Sequence, residues 1–430
     1  MVRVCLTILF ISAIMKLHAQ PKTDTFLQQI LAQNRNQILQ QVLQNPENYR
    51  VQIIYTQINR DKKNRPTFTN YYFNFNPELY FNPASIVKLP LAFLSLQKLN
   101  ELGKKKVNKY TTIQFDSSQK WQHPLYRDTS ARNGLPTIAH FIKRALLISE
   151  NDPYNRMYQF LGQQYINRDL HKKGYPEVRI TRQFLGLTPD QNRYTNPVRF
   201  IDAEGKTIYF QPAAYNTDSF DFSKTIKIGK AHMNSRDSIV NEPFDFTPHN
   251  NLSLESVRMM LQSVMFPKSV PKQQRFKLKK DDYQFLYQYL SQFPSETPDP
   301  KYDTTEFFDS YVKFFFRNSS HKRPPDVRVF NKVGWAYGFM TDVSYVVDFK
   351  NNVEYMLAAT IYVNSDGVVN DGKYDYNSIG YPFMYQLGQT IYQYELSRKR
   401  MFVPDLSRFK VNYEHRDPND SRPALKDVDN

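Results

Sequence analysis

Apolar positions change their spacing several times along the chain, and each change marks an element. Phe26, Leu27, Ile30, Leu31, Ile38, Leu39, Val42 and Leu43 recur at helical spacing, which predicts one amphipathic helix over about residues 24 to 44, ended by Asn45-Pro46. Val51 to Asn59 and Thr67 to Phe75 are rich in β-branched and aromatic residues and flank the polar turn Asp61 to Pro66, the pattern of a hairpin. From near Ala84 the chain is apolar almost all round (Ile86, Val87, Leu89, Leu91, Phe93, Leu94, Leu96, Leu99), which predicts a helix buried at the centre of the fold and kinked at Pro90.

Further on, Ile138, Phe141, Ile142, Ala145, Leu146, Met157, Phe160 and Leu161 predict two helices over about 137 to 170, broken near Ser149 to Pro153. Residues 176 to 250 lack sustained periodicity and read as a long loop or an inserted subdomain. Helical patterns return at Leu252 to Met265, Asp281 to Phe293 and Thr305 to Phe316. Three strands come late, Val327 to Val333, Thr341 to Phe349 and Glu354 to Val363, followed by a helix from about Tyr376 to Leu396 and a polar, loose tail after Tyr413.

A lone hairpin is marginal in water, so the N-terminal pair needs partners, and the C-terminal strands supply them. The expected fold is α/β of the α+β kind: one antiparallel five-stranded sheet from both chain ends, covered by terminal helices, with an inserted helical lobe. The sheet lobe takes about 20 to 80 and 325 to 397, and the helical lobe about 84 to 320. A cleft between lobes is the natural site.

Composition narrows the function classes. With 430 residues, 40% hydrophobic and 15% aromatic, the chain can fill a large core. Arg3, the apolar run Val4 to Met15 and Ala19 read as a signal peptide covering residues 1 to 19, and Lys16 cuts that run short of a membrane span. The mature chain is therefore expected to be secreted or periplasmic, without a transmembrane span. The only cysteine is Cys5, so disulfides and Cys-ligated metal are excluded after cleavage.

The net charge of +16 attracts anions, but Lys104-Lys105-Lys106, Lys279-Lys280 and Arg398-Lys399-Arg400 are short and scattered, unlike a nucleic-acid footprint. Eight histidines show no His-Glu-x-x-His pattern, so neither a metal nor another cofactor is expected.

The candidate chemistry starts at Ser85-Ile86-Val87-Lys88. Residues three apart on a helix share a face, so the hydroxyl can meet the amine, and a lysine held neutral can take the serine proton. The spacing alone is weak, because it recurs at Ser95/Lys98, Ser117/Lys120, Ser269/Lys272, Ser310/Lys313, Ser319/Lys322 and Ser407/Lys410. Ser149-Glu150-Asn151 is more informative, since Ser-x-Asn occurs nowhere else, although such residues also cap helices. Lys332-Val333-Gly334 ends a predicted strand, where glycine admits a close neighbour and lysine adds charge; an edge lysine that discourages aggregation gives the same pattern.

In this order, with Phe81 four residues before the serine, the three motifs resemble the serine β-lactamases and penicillin-binding proteins, most closely class A β-lactamases, over roughly residues 40 to 397. The resemblance implies that Ser85 is acylated by an amide or lactam carbonyl and that Lys88 helps deprotonate it. Ser149 would relay a proton to the leaving nitrogen. Asn151 would hold a substrate amide, Lys332 would attract the substrate carboxylate and keep Lys88 neutral, and the N–H groups of Ser85 and Trp335, beside Gly334, would form the oxyanion hole.

Two departures stand out. Val333 replaces the usual hydroxyl residue, and no clean Glu-x-x-x-Asn follows the second motif; Glu177 and Glu204, with Asn196, are the nearest candidates for activating water. The expected activity is a β-lactamase-like serine hydrolase on a small-molecule or peptidoglycan-like substrate bearing a carboxylate, working as a monomer. The alternatives are D,D-peptidase, transpeptidase or esterase work, or a silent ligand-binding homologue. Export predicts a mature chain that begins just after Ala19, checked by N-terminal sequencing of the protein recovered outside the cytoplasm.

Overall fold

A computed structural model of the chain describes residues 21–103, 106–318, 320 and 324–428. The expected signal peptide lies outside the described residues. Two short helices come first, α1 (Thr25–Gln33) and α2 (Gln37–Gln44). The single helix expected here is interrupted because Asn36 caps α2, accepting from Leu39 N at 3.1 Å, while the Asn34 amide donates to Thr390 Oγ1 at 2.8 Å. The hairpin β1 (Gln52–Arg60) and β2 (Pro66–Phe73) follows as expected.

A 3-10 turn over Ala84–Val87 leads into α3 (Lys88–Glu101), which is buried along most of its length. Pro90 falls in the first turn of α3. There the N–H has no intrahelical acceptor, so the hydrogen bond whose loss was expected to kink the helix does not exist.

Strand β3 (Thr112–Phe115) precedes α4 (Ile138–Leu147), α5 (Asn151–Leu161) and α6 (Gln163–Lys172). Three helices stand where two were expected, because Gly162, at φ 80°, turns the chain between α5 and α6. The stretch from 176 to 250 is a set of short strands rather than one loop. They are β4 (Val198–Ile201), β5 (Thr207–Gln211), β6 (Lys227–Ile228), β7 (Ala231–Met233), β8 (Ile239–Val240) and β9 (Phe244–Asp245). β4 and β5 extend β3 into a three-stranded sheet, and β6 pairs with β9.

After α7 (Leu254–Met265) and α8 (Lys280–Ser291), the helix expected over Thr305 to Phe316 does not form. Tertiary bonds claim its backbone instead: Phe314 N donates to Asp342 Oδ2 at 3.0 Å, and only a 3-10 turn over Phe314–Phe316 remains. Then come β10 (Val327–Ala336), β11 (Phe339–Asp348), β12 (Val353–Tyr362), β13 (Val368–Val369) and α9 (Tyr381–Ser397).

The main sheet runs in the order β10-β11-β12-β1-β2, antiparallel throughout, so both chain ends build it as expected. On one face α1, α2 and α9 cover Ile53, Val333, Leu357 and Ile361, and on the other face Ile54, Val343 and Met356 join the core of the helical lobe. The tail is tied down, contrary to expectation. Leu425 N donates to Lys301 O at 2.7 Å, and Arg416 bonds the carbonyls of Thr297 and Tyr302, each at 2.8 Å. Among the described residues no helix is long and apolar enough to cross a membrane.

Gly388 lets α9 rest directly on the Phe314–Phe316 turn, because an added Cβ would lie 2.3 Å from Phe315 O. Gly388→Ala is expected to destabilise the protein by about 1–3 kcal/mol through overpacking, read from the urea unfolding midpoint.

Candidate active site

The turn before α3 is built to present a hydroxyl. Asn82 Oδ1 accepts from Ala84 N at 2.9 Å, and Ala84 is forced to φ 43°, a left-handed conformation costly for a residue with a Cβ. Ser85 follows it on the turn, and Lys88 opens α3. Gly334 on β10 lies against this turn, since a Cβ there would sit 2.5 Å from Pro83 O and 3.0 Å from Ser85 N. Any larger residue would push the strand away from the serine.

The residues singled out in the sequence largely meet. Lys88 Nζ lies 2.7 Å from Ser85 Oγ, 2.9 Å from Asn151 Oδ1 and 3.3 Å from Ser149 Oγ, and it also donates to Ser149 O. Lys332 Nζ donates to Ser149 Oγ and to Val333 O, both at 2.8 Å. Ser149 Oγ thus stands between two amines. Trp335 packs edge-on against Tyr311 and Phe314 and lines the cavity above Ser85.

Burial decides the protonation of this cluster. Lys88 is fully buried, and burial first, then the neighbouring Lys332 charge, holds its pKa well below the ordinary lysine range. A neutral amine has two N–H groups and one lone pair. Carbonyl oxygens of Ser149 and Asn151 can only accept, so they take the two N–H groups and leave the lone pair to the Ser85 hydroxyl. Lys332 is likewise held well below the usual range, by burial and then by Lys313.

A second layer holds the middle motif in place. Ser149 has φ 75°, and the residue after it, Glu150, is anchored by Arg144 at 2.8 and 2.5 Å and by the Tyr302 hydroxyl at 2.5 Å. Arg144 also bonds Asp128 at 2.9 Å. Beneath β10, Lys313 donates to Leu290 O, Val329 O and Asn331 Oδ1 at 2.6–3.0 Å, and Asn331 in turn donates to Asp342 at 2.9 Å. Sequence spacing had shown Lys313 only as one of six incidental Ser-x-x-Lys pairs.

Above the cluster opens a cavity of about 560 Å³, walled by Ser85, Asn151, Arg182, Phe184, His249 and Trp335 among others. Among the described residues lining it, none is Asp or Glu. Glu177 accepts from Ser253 Oγ at 3.0 Å and from Ser256 Oγ at the start of α7, and Glu204 is exposed on the β4–β5 turn. Asn196 donates to Asp116 O at 2.7 Å. None of the three lines the cavity.

The Phe184 ring occupies the space 5.3 Å from Lys88 Nζ and stacks on Tyr154 at 4.3 Å. Burial, with Arg182 beside it, pushes His249 down to about 3, so that imidazole stays neutral. Lys332, expected to face a substrate carboxylate, is instead 2% exposed and turned to Ser149, whereas Arg182, which lines the cavity, has no ion-pair partner among the described residues. Arg182, Phe184 and the Arg144–Glu150–Tyr302 group carry no local sequence signal; only the folded chain brings them to the motifs.

Residues 34–214 match the family described as "Beta-lactamase enzyme family". No curated protein matches the chain. Solved structures similar to it include a β-lactamase from Sphaerobacter thermophilus, 11% identical, covering 83% of this chain and 96% of that one with a TM-score of 0.45. A β-lactamase from Desulfarculus baarsii is 12% identical, with 88% and 100% covered and a TM-score of 0.46. PBP-A is 13% identical, with 84% and 96% covered and a TM-score of 0.44. At these identities and scores none of the three bears on activity.

Only neutral Lys88 can accept the Ser85 proton, so the reaction of Ser85 with an activated acyl donor is expected to rise with pH through the lowered Lys88 pKa and then level off. Lys332→Met removes a neighbouring cation, raises the Lys88 pKa, and shifts the rise to higher pH. Adduct formation followed by mass across roughly pH 4 to 10 checks both the sign and the shift.

Proposed function

We propose, for a chain whose residues 34–214 match the beta-lactamase enzyme family, an exported serine hydrolase that is acylated on Ser85 by β-lactams or related cell-wall amides and releases the acyl group slowly. The observation that carries this is the contact of 2.7 Å between Ser85 Oγ and a fully buried amine, on the floor of a cavity without a carboxylate on its described wall.

In the first step Ser85 Oγ bonds the acyl carbon while its proton passes to Lys88 Nζ. Negative charge on the carbonyl oxygen is met by the Ser85 and Trp335 N–H groups. The carbon–nitrogen bond then breaks, and Ser149, within reach of both amines, hands a proton to the departing nitrogen. The product is an ester on Ser85. Asn151 supports this reading as a group that can hold both Lys88 and a substrate amide.

Hydrolysis of that ester needs a base beside the attacking water. His249 is too weak a base to serve efficiently, and the Phe184 ring excludes water from the side of Lys88 that it covers. A lasting acyl-enzyme, as in penicillin-binding proteins, is therefore favoured over rapid turnover. The same slow release suits transfer of the acyl group to an amine. Val333 brings no hydroxyl and Lys332 is buried against Ser149, so Arg182, which lines the cavity, is the cation available to a substrate carboxylate.

Incubation of the protein and of Ser85→Ala with a penicillin, followed by mass over time, tests the reading. The expected result is an adduct on the wild type alone that outlasts many acylation times, and a slower acylation, by about tenfold or more, for Arg182→Ala. A fleeting adduct with accumulating product would identify a true β-lactamase. Absence of any adduct with penicillins, cephalosporins and activated esters would leave only a ligand-binding role.

A further inference from the structure

The end of the main sheet far from Ser85 carries a feature that acylation does not use. After α9 the chain reads Arg398-Lys399-Arg400-Met401-Phe402-Val403, and the three apolar side chains are exposed at 88%, 37% and 63%. This is not a frayed end. Pro404 is buried, Leu406 and Phe409 insert into the core at 5% and 1% exposure, and Arg398 and Arg400 close onto the fully buried carboxylate of Glu395. The segment is pinned on both sides, and the apolar triplet is held out into water.

A second loop joins it. The β1–β2 turn holds Lys62, Lys63 and Arg65, all exposed, and its Asn64 donates to Val403 O at 3.0 Å while accepting from Asp405 N at 2.9 Å. Lys62, Lys63 and Lys399 have no ion-pair partner among the described residues. The nearby acids are engaged: Asp61 with Arg65 at 2.7 Å, buried Glu354 with Arg60 at 2.5 Å, and Asp405 with Ser407 N at 3.0 Å.

We propose that the Lys62–Arg65 turn and the Lys399–Val403 loop form one peripheral docking surface for a bilayer rich in anionic phospholipid, with Met401, Phe402 and Val403 entering the interface and the lysines meeting the headgroups. Apolar side chains ringed by free cations are the combination that binds such surfaces, since neither term suffices alone. A protein partner fits less well. Three side chains fall far short of the roughly 800 Å² per partner that a stable protein interface buries.

The geometry also sets the orientation. Gln52 pairs with Thr360, which pairs with Thr341, which pairs with Gly334 beside Ser85. The docking loops lie at the opposite end of β1, whose nine residues span about 30 Å. A docked molecule therefore holds the Ser85 end of the sheet some way off the membrane. The docking surface stands independently of the acylation chemistry.

The test uses the full chain with Phe402→Trp, its emission read as the difference from the unsubstituted chain, which carries Trp121 and Trp335, so that the signal reports this loop and not residues 4 to 15. Vesicles of phosphatidylcholine with about 30% phosphatidylglycerol are expected to shift the emission to the blue, brominated lipid to quench it, and about 0.5 M salt to reverse both. Adding Lys62→Glu, Lys63→Glu and Lys399→Glu to that background is expected to weaken vesicle binding by well over tenfold, at about fivefold per lost lysine. An unchanged circular dichroism spectrum and urea unfolding midpoint verify that each variant is folded. The proposal is overturned if anionic vesicles leave the emission unchanged, if neutral vesicles bind equally well, or if a blue shift grows with protein concentration alone, which would mean self-association.

Discussion

Everything in the cleft depends on keeping a primary amine out of water. Lys88 has no exposed surface and no carboxylate among its hydrogen-bond partners, which are two carbonyl oxygens and the hydroxyls of Ser85 and Ser149, so nothing there repays the burial of a charge. Burying a charged ammonium there would carry a desolvation cost of several kcal/mol, so the protein trades a proton for burial. A hydroxyl within hydrogen-bond reach of a neutral amine is one consequence of that exchange.

The helical lobe and the sheet have to approach closely for this to hold. Gly334 lets β10 touch the turn before Ser85, and Gly388 lets α9 sit against the backbone at Phe315, behind the same strand. Ala84 and Ser149 both occupy left-handed conformations, a strain of about 1–3 kcal/mol each that the surrounding packing must offset. Such strain persists because Asn82 holds the first residue, and the Arg144–Glu150–Tyr302 group holds the segment of the second.

On the proposed reading, the same logic sets slow release of an acyl group apart from fast hydrolysis. An aromatic ring stands over Lys88, and Arg182 is the one Lys or Arg among the described residues that line the cavity, while Lys332 is spent on Ser149 and sunk beneath the surface. Acylation and release are different tasks for a protein. A site can be complete for the first and poorly equipped for the second.

Local chemistry was readable along the chain wherever one segment decided it. The five strands of the main sheet followed from β-branched and aromatic runs, and the order of Ser85, Lys88, Ser149, Asn151 and Lys332 marked out side chains that the fold does bring into contact. Readings failed where distant groups competed for the backbone: Asn34 bonding Thr390 across the fold, and Asp342 taking the N–H of Phe314. The short strands between 176 and 250 were invisible because they are only two to five residues long, too short to show alternation, and two of them, β4 and β7, also lean on β3 and β13 outside the stretch. The sequence by itself thus determined which groups could react and in what order they come along the chain, since hydroxyl, amine and amide chemistry resides in single residues. Tertiary structure alone decided that Lys88 is dry, that Arg182 and not Lys332 faces the opening, and that no described carboxylate reaches it, because desolvation and proximity belong to residues that only folding brings together.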